Sequence, residues 1–244
     1  ERLTMTSPAR PGAAWQTRGE QILAAAERLL LRHGYGRLTM EDVAREAGIG
    51  TGTIYLHWKS KEALFETVLL RELAALWGEL ARRLEADPSN ALLHRLLGHL
   101  LRAVKGRPLA RALFSRDAGL LGKLAQRSAV LRAQPVARAA GLIAILRELG
   151  LVRSDLALEA QAYAFSAIWA GFTLVDPLLN DEDHVALEAQ VAALAHTVRR
   201  TFEPDRPPDA PALRARVAPA LIAFLGEARS AFERQIEARM LTAR

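Results

Sequence analysis

The chain has no cysteine among its 244 residues. Disulfide frameworks, thiolate nucleophiles and cysteine-ligated zinc or iron–sulfur centres are thereby excluded, and only histidine and carboxylates remain to hold a metal. Long apolar runs are also missing. None approaches 18 residues, so no membrane span and no membrane partner is expected. The stretch ERLTMTSPARPGAAWQTRGE carries no apolar segment behind its charges, which argues against a cleaved signal peptide and for a cytoplasmic protein. Strand signals are nearly absent as well: alternation of β-branched and polar residues is not found, while Ala, Leu, Arg and Glu dominate. Catalytic signatures fare no better. There is no G-x-S-x-G, no H-E-x-x-H and no G-x-x-x-x-G-K-[ST], and His94 and His99, five apart, diverge on a helix. No catalytic residue, metal site or cofactor is therefore assigned, and an enzyme is not expected.

What is present is apolar residue in quantity, 50% of the chain, set at helical spacing. The expected fold class is all-α. Ile22, Leu23, Ala26, Leu29 and Leu30 mark a first helix over about Thr17 to His33, closed by Gly34. Thr39 precedes MEDVAREA, a short amphipathic helix, and pairs with Asp42 as a capping box with a shortened acid. Gly48 caps that helix, and TGTIYLHW follows with Ile54 and Trp58 on one side. Beyond Lys59 a long helix carries Leu64, Val68, Leu73, Leu76, Trp77, Leu80 and Leu84 inward until Asp87-Pro88 stops it. Further breaks fall at Gly106-Arg107-Pro108, Gln134-Pro135, Gly150, Asp176-Pro177 and the linker EPDRPPDAP, after which Leu213 to Met240 forms a last amphipathic helix.

Gly48, Gly50 and Gly52 raise two readings. A dinucleotide fingerprint needs G-x-G-x-x-G directly after a buried strand, yet here Thr53 stands where the third glycine belongs and an amphipathic helix precedes. Two short helices joined at Gly48, behind a longer first helix, fit a helix-turn-helix without leaving a residue unexplained.

The passage RGEQILAAAERLLLRHGYGRLTMEDVAREAGIGTGTIYLHWKSKEALF resembles the DNA-binding domain of the TetR family of transcriptional regulators. Its helix lengths, the GYGRLTMEDVAREAG stretch and the closing TIYLHWKSKEAL carry the likeness; Gly50 and Thr51 depart from the serine and the cation that the family often has there. The resemblance implies an N-terminal three-helix DNA-binding domain followed by a larger helical ligand-binding and dimerisation domain. The boundaries expected are a flexible arm at 1–16, the reading domain at 17–62, the effector and dimerisation domain at 63–203, and a linker with an additional helix at 204–244.

On this view Thr51, Gly52 and Thr53 stand in the first turn of the recognition helix, where free N–H groups meet phosphate and the Thr side chains meet base edges. Tyr55 resembles the family tyrosine that hydrogen-bonds phosphate or packs on sugar and base. His57 and Lys61 are expected on phosphate, as is Thr39 from the start of the second helix. Arg10 and Arg18 flank the first helix within reach of a groove or phosphate, with a merely solvated arm the plain alternative for Arg10. The resemblance also implies a homodimer built on helices near 155–175 and 183–202, a double-stranded operator and an unknown small-molecule effector.

Residues 100–153 hold eleven basic against two acidic side chains, and residues 154–205 hold nine acidic against two basic. An anion-binding role for some of the arginines, with Arg111 and Arg116 foremost, competes with a solvated basic face complemented by the acidic block, which is preferred. For an apolar effector, Trp77, Phe114, Phe165 and Trp169 are the bulky residues able to line a cavity, against a simple core role. The function expected is a one-component, ligand-responsive transcriptional regulator, a repressor binding a palindromic operator as a dimer. A nonspecific DNA-coating protein and a helical small-molecule carrier are the rival classes, and neither accounts for TIYLHWKSK.

Overall fold

The computed structural model describes residues 12–128, 135–180, 182 and 185–241, which contain helices and turns and one isolated β-bridge. Arg10, named above beside the first helix, lies outside the described residues.

The first helix, α1 (Ala13–His33), begins four residues ahead of the sequence expectation and closes at Gly34. That glycine has φ 71°, and a Cβ on it would stand 2.8 Å from the carbonyl oxygen of Gly119, so the turn and the close approach both require its missing side chain. Then come α2 (Met40–Ala47) and α3 (Thr51–His57). The long α4 (Lys61–Ala86) is capped by Ser60, whose hydroxyl accepts from the Ala63 amide. A string of helices follows: α5 (Leu93–Gly106), α6 (Pro108–Ser115), the single turns α7 (Ala118–Leu121) and α8 (Leu124–Arg127), and α9 (Pro135–Glu148). The chain ends with α10 (Leu158–Leu174), α11 (Leu187–Phe202), the short α12 (Ala210–Ala212) and α13 (Ala218–Arg239). A wide turn over Leu213–Val217 leads into α13, where Pro219 removes one N–H from the ladder.

Two large apolar clusters organise these helices. One gathers Ile22, Leu30, Val43, Ile54, Trp58, Leu64, Phe65 and Leu69 with Leu109, Leu113, Leu121 and Leu124. The core of the reading head thus extends past Ser60 into the first turns of α4 and takes side chains from α6 to α8. The other unites Leu80 and Leu84 of α4 with the buried faces of α5, α9, α10, α11 and α13. Because α4 contributes to both, it joins the head to the larger helical body. Its inward stripe runs as the periodicity predicts for Leu64, Val68, Leu76, Leu80 and Leu84, each at most 1% exposed, while Leu73 and Trp77 are half-buried.

Part of the mid-chain basic block is paired with groups on other segments. Arg102 forks onto Glu188 at 2.6 Å, Lys105 meets Asp176, Arg107 reaches Glu79 at 2.5 Å, and Arg153 donates to the Glu203 carbonyl at 2.6 Å. Arg102, Lys105 and Arg153 thereby tie the basic segment to the acidic one that follows it in sequence. Arg111 and Arg116 make no ion pair among the described residues.

Candidate nucleic-acid interface

The interface is built from α2, its glycine turn and α3. Thr39 and Asp42 form a reciprocal capping box: the Asp42 amide donates to Thr39 Oγ1 at 3.1 Å, and the Thr39 amide donates to Asp42 Oδ2 at 3.0 Å. The Thr39 hydroxyl adds a 2.8 Å bond to the same carboxylate. These bonds from Thr39, reinforced by Arg45, hold the Asp42 carboxyl below the usual carboxylate range. Thr39 itself remains exposed at the N-terminus of α2.

Gly48 ends α2 in the left-handed conformation, φ 67° and ψ 33°, with its amide on the Ala44 and Arg45 carbonyls. Gly50 then starts α3 without a side-chain cap. Seven residues are too few to hold a helix in water, so tertiary contacts fix α3. Its inner side is Ile54, His57 and the following Trp58, all 0% exposed. The Trp58 indole donates to Thr67 Oγ1 at 3.1 Å, and that hydroxyl donates onward to the Ala63 carbonyl. The start of α4 is therefore the support on which α3 rests.

What faces outward is Gly52, Tyr55 at 47% exposure, Leu56 at 59% and Lys59, with Thr51 and Thr53 half-buried at the rim. Gly52 has open space where a Cβ would stand, so nothing inside the fold demands glycine there. Arg18 of α1 is exposed too. The sequence reading missed Leu56 and Lys59; Leu56 lies four residues beyond Gly52, the spacing of one helical face, whereas Lys59 lies past the helix, after the extended Trp58.

Two expected phosphate ligands are corrected. His57 is fully buried: its ring stacks on Trp15 with centroids 3.7 Å apart and lies 5.5 Å from the ring of Trp58. Among the described residues neither ring nitrogen has a partner, and burial, aided by nearby Arg18, pushes its pKa down, which favours the neutral ring and leaves it off the exposed surface. Lys61 is turned inward as well. Its ammonium donates to the Tyr35 carbonyl at 2.8 Å and sits 4.1 Å from the centre of the Tyr35 ring, and burial lowers its pKa. It anchors the turn between α1 and α2 rather than offering a free point charge. Burial and the adjacent Glu62 push the Tyr35 phenol up to about 12, so it too stays neutral.

The four aromatics expected around an effector are distributed through the core. Phe114 meets Trp169 edge to face at 5.8 Å, and Phe165 meets Phe202 at 5.9 Å. Trp77 bridges the body core and a small cluster of Leu70, Ala74 and Phe232. None of the four lines the cleft of about 420 Å³ bounded by Leu31, Pro108, Arg111, Ser115, Leu120, Thr173 and Asp176. That cleft nevertheless lies between α6 and α10, the helices that carry Phe114 and Trp169. Among the described residues no helix is long and apolar enough to cross a membrane.

Comparison with known proteins agrees with this geometry. The family model for bacterial regulatory proteins of the tetR family matches residues 22–68, which cover the helix-turn-helix and the start of α4. An uncharacterized HTH-type transcriptional regulator of Haemophilus influenzae is 47% identical over 47 residues, 19% of this chain and 25% of that one. The match thus spans only a quarter of that relative's length. Another HTH-type regulator, from Mycobacterium bovis, is 25% identical over 157 residues, 57% of this chain and 82% of its own. Among solved structures, a TetR-family transcriptional regulator from Rhodococcus superimposes with a TM-score of 0.58 at 20% identity, over 77% of this chain and 100% of that one. FadR from Bacillus subtilis, in complex with stearoyl-CoA, gives 0.55 at 16% identity, over 73% and 96%. The N-terminal helices of the chain are thus similar in sequence to the bacterial regulatory proteins of the tetR family, and its helical body is similar to the solved structures in fold.

Proposed function

We propose that the chain is a one-component repressor that binds a palindromic operator as a homodimer and leaves it when a small-molecule effector binds. The observation that carries this reading is the outward face of α3. Gly52, Tyr55 and Leu56 stand exposed on a helix whose inner side, Ile54 and His57, is fully buried, and exposed Lys59 follows two residues past its end, so the segment presents backbone, hydroxyl, methyl and cation together. Thr39, Thr51 and Thr53 flank that face, and Arg18 and Lys59 take the phosphate roles that His57 and Lys61 cannot.

A second copy of the chain is the occupant that fits the far end of the molecule. Along α10 the exposed positions Ala160, Tyr163, Ala167, Gly171 and Leu174 make an apolar stripe with small residues, suited to close helix packing. Leu156 ahead of α10, and Leu178 and Val185 after it, are further apolar side chains more than half exposed. One helix-turn-helix makes few base contacts, and pairing two on half-sites roughly 34–36 Å apart supplies the missing affinity. The effector, bound in the body near the α6–α10 contact, would favour a dimer with wrongly spaced heads and so lower operator affinity by the same coupling factor.

Selection of duplexes from a random DNA pool by the purified protein at moderate salt tests this. An enriched palindrome is expected. Binding without enrichment would replace the reading with nonspecific coating, and no binding in any condition would overturn it in favour of a small-molecule carrier.

A further inference from the structure

The C-terminal helix spans the whole length of α4 in the opposite direction. Leu221 and Leu225 lie in the body core with Leu80 and Leu84, Arg229 lies against Gly78, and Phe232 joins Leu70 and Ala74. Farther along, Arg239 Nε bonds Glu66 Oε2 at 2.7 Å, both side chains less than 20% exposed. The register then carries the chain onto the reading head. Met240 pairs with Trp58 in an antiparallel bridge, and the Leu241 amide donates to the His57 carbonyl at 2.8 Å. The Met240 methyl also comes within 3.2 Å of where a Cβ on Gly19 of α1 would stand.

These contacts fall at a particular place. The last carbonyls of a helix have no partner within it, and a seven-residue helix takes its direction from whatever holds its ends. His57 is the last residue of α3, and its carbonyl is satisfied by the chain that has just left α13. The opposite end of α13 is embedded in the body core through Val217, Leu221 and Leu225. One continuous helix therefore connects the body core to the C-terminus of the recognition helix, packed alongside α4.

We propose that Arg239, Met240 and Leu241 are positioning residues for DNA reading: with α4 they make a two-helix strut whose tip sets the orientation of α3. The proposal rests on the assignment of α3 as the reading helix. A displacement of the body helices would reach α3 by two routes, through Ser60 and α4 and through the tail of α13, and two fixed points define the helix's orientation where one would leave a swivel. The strut thereby keeps the two heads of a dimer at one spacing until an effector moves its base.

Two variants of the full protein test this: a chain ending at Arg239, and Leu241→Pro. Met240 is already extended at φ −82° and ψ 136°, so a proline after it is tolerated and removes only the N–H bonded to His57. Amide exchange of the free protein, followed by mass spectrometry, is expected to speed up by roughly tenfold over residues 51–58 while α5 and α9 stay unchanged. On the operator recovered from the random pool, wild type is expected to prefer its own half-site spacing by about tenfold over duplexes with one or two base pairs inserted, and the variants to lose most of that preference. Should the truncation loosen α5 and α9 too, Leu241→Pro decides. Unchanged exchange over 51–58, or unchanged spacing preference, overturns the positioning role. Absence of any palindrome would instead strike the regulatory reading, with the exchange comparison still deciding whether the tail holds α3.

Discussion

Trp15 and His57 stack with their ring centroids 3.7 Å apart and their planes 22° from parallel, which seals the inner side of the recognition helix with an imidazole that has no hydrogen-bond partner among the described residues. The groups around it are Trp15 and Arg18 of α1, Trp58, and the Met240 region of the tail, and among the described residues no carboxylate influences it. Its folded pKa is depressed below the ordinary 6.5, so between those values the unfolded chain binds a proton that the folded one does not. Stability is then fully present above about pH 6.5 and falls as pH drops below it, by at most about 1.4 kcal/mol per pH unit from this one group. His99, depressed by burial and neighbouring arginines, adds a slope of the same sign. Thermal unfolding between pH 5 and 7.5 should show wild type losing stability on acidification and His57→Phe losing distinctly less. Parallel curves for the two proteins would mean that His57 accepts its proton without cost.

Lys59 and Lys61 should separate cleanly. Lys59 is exposed on the DNA-facing side, so Lys59→Ala is expected to leave thermal stability within about 0.5 kcal/mol and to reduce the salt slope of operator binding by about one. Lys61→Ala removes the bond to the Tyr35 carbonyl and the cation over its ring, a loss of roughly 1–2 kcal/mol in stability, with the salt slope kept. Denaturant melts and binding titrations at several salt concentrations measure both. An interchange of the two phenotypes would return Lys61 to the phosphate backbone.

The helix-turn-helix was legible because its signals are local. Thr39 and Asp42 are three residues apart, Gly48 closes the helix they open, and Ile54 and Trp58 share one face by simple periodicity. His57 and Lys61 were misplaced for the opposite reason. The ring that covers His57 is 42 residues upstream and the amide on its carbonyl 184 downstream, while Lys61 finds its partner 26 residues back. At helical spacing a histidine beside Tyr55 is equally consistent with either face of a short helix, and only the arrival of α1 and α13 decides. The same holds for α13, whose apolar stripe predicts burial without naming α4 as the partner, and for Phe114 and Trp169, whose pairing depends on how α6 crosses α10. The complementarity of the basic and acidic blocks was legible as composition, and its individual pairs were not.

Two glycines near the interface should respond in opposite ways. Gly34→Ala forces a Cβ into the Gly119 carbonyl at a positive φ, and a destabilisation of about 2 kcal/mol or more is expected. Gly52→Ala meets open space in a helical backbone, so stability should hold or rise by up to about 1 kcal/mol from helix propensity. Operator affinity should nonetheless fall by about tenfold, since the methyl stands where the backbone approaches DNA. Melting curves and operator titrations on the two variants read all of this. Undiminished affinity in Gly52→Ala would move the point of closest approach away from the first turn of α3.

Tyr163 and Leu174 lie eleven residues apart on α10, three helical turns, and so share its exposed stripe, at 68% and 40% exposure. A glutamate at Tyr163 is fully solvated in a lone subunit and costs the fold almost nothing. In a dimer closed on this stripe, the same carboxylate would face its own symmetry mate across a dry contact, where an unpaired charge costs several kcal/mol. Tyr163→Glu is therefore expected to weaken self-association by at least about a hundredfold in sedimentation equilibrium. Affinity for a complete palindrome should fall with it, whereas binding to an isolated half-site, which needs only one head, should stay within about twofold of wild type. A dimer as tight as wild type would place the interface elsewhere and leave the apolar face of α10 for another partner. A loss of half-site binding would show instead that the substitution reaches the reading head through the fold.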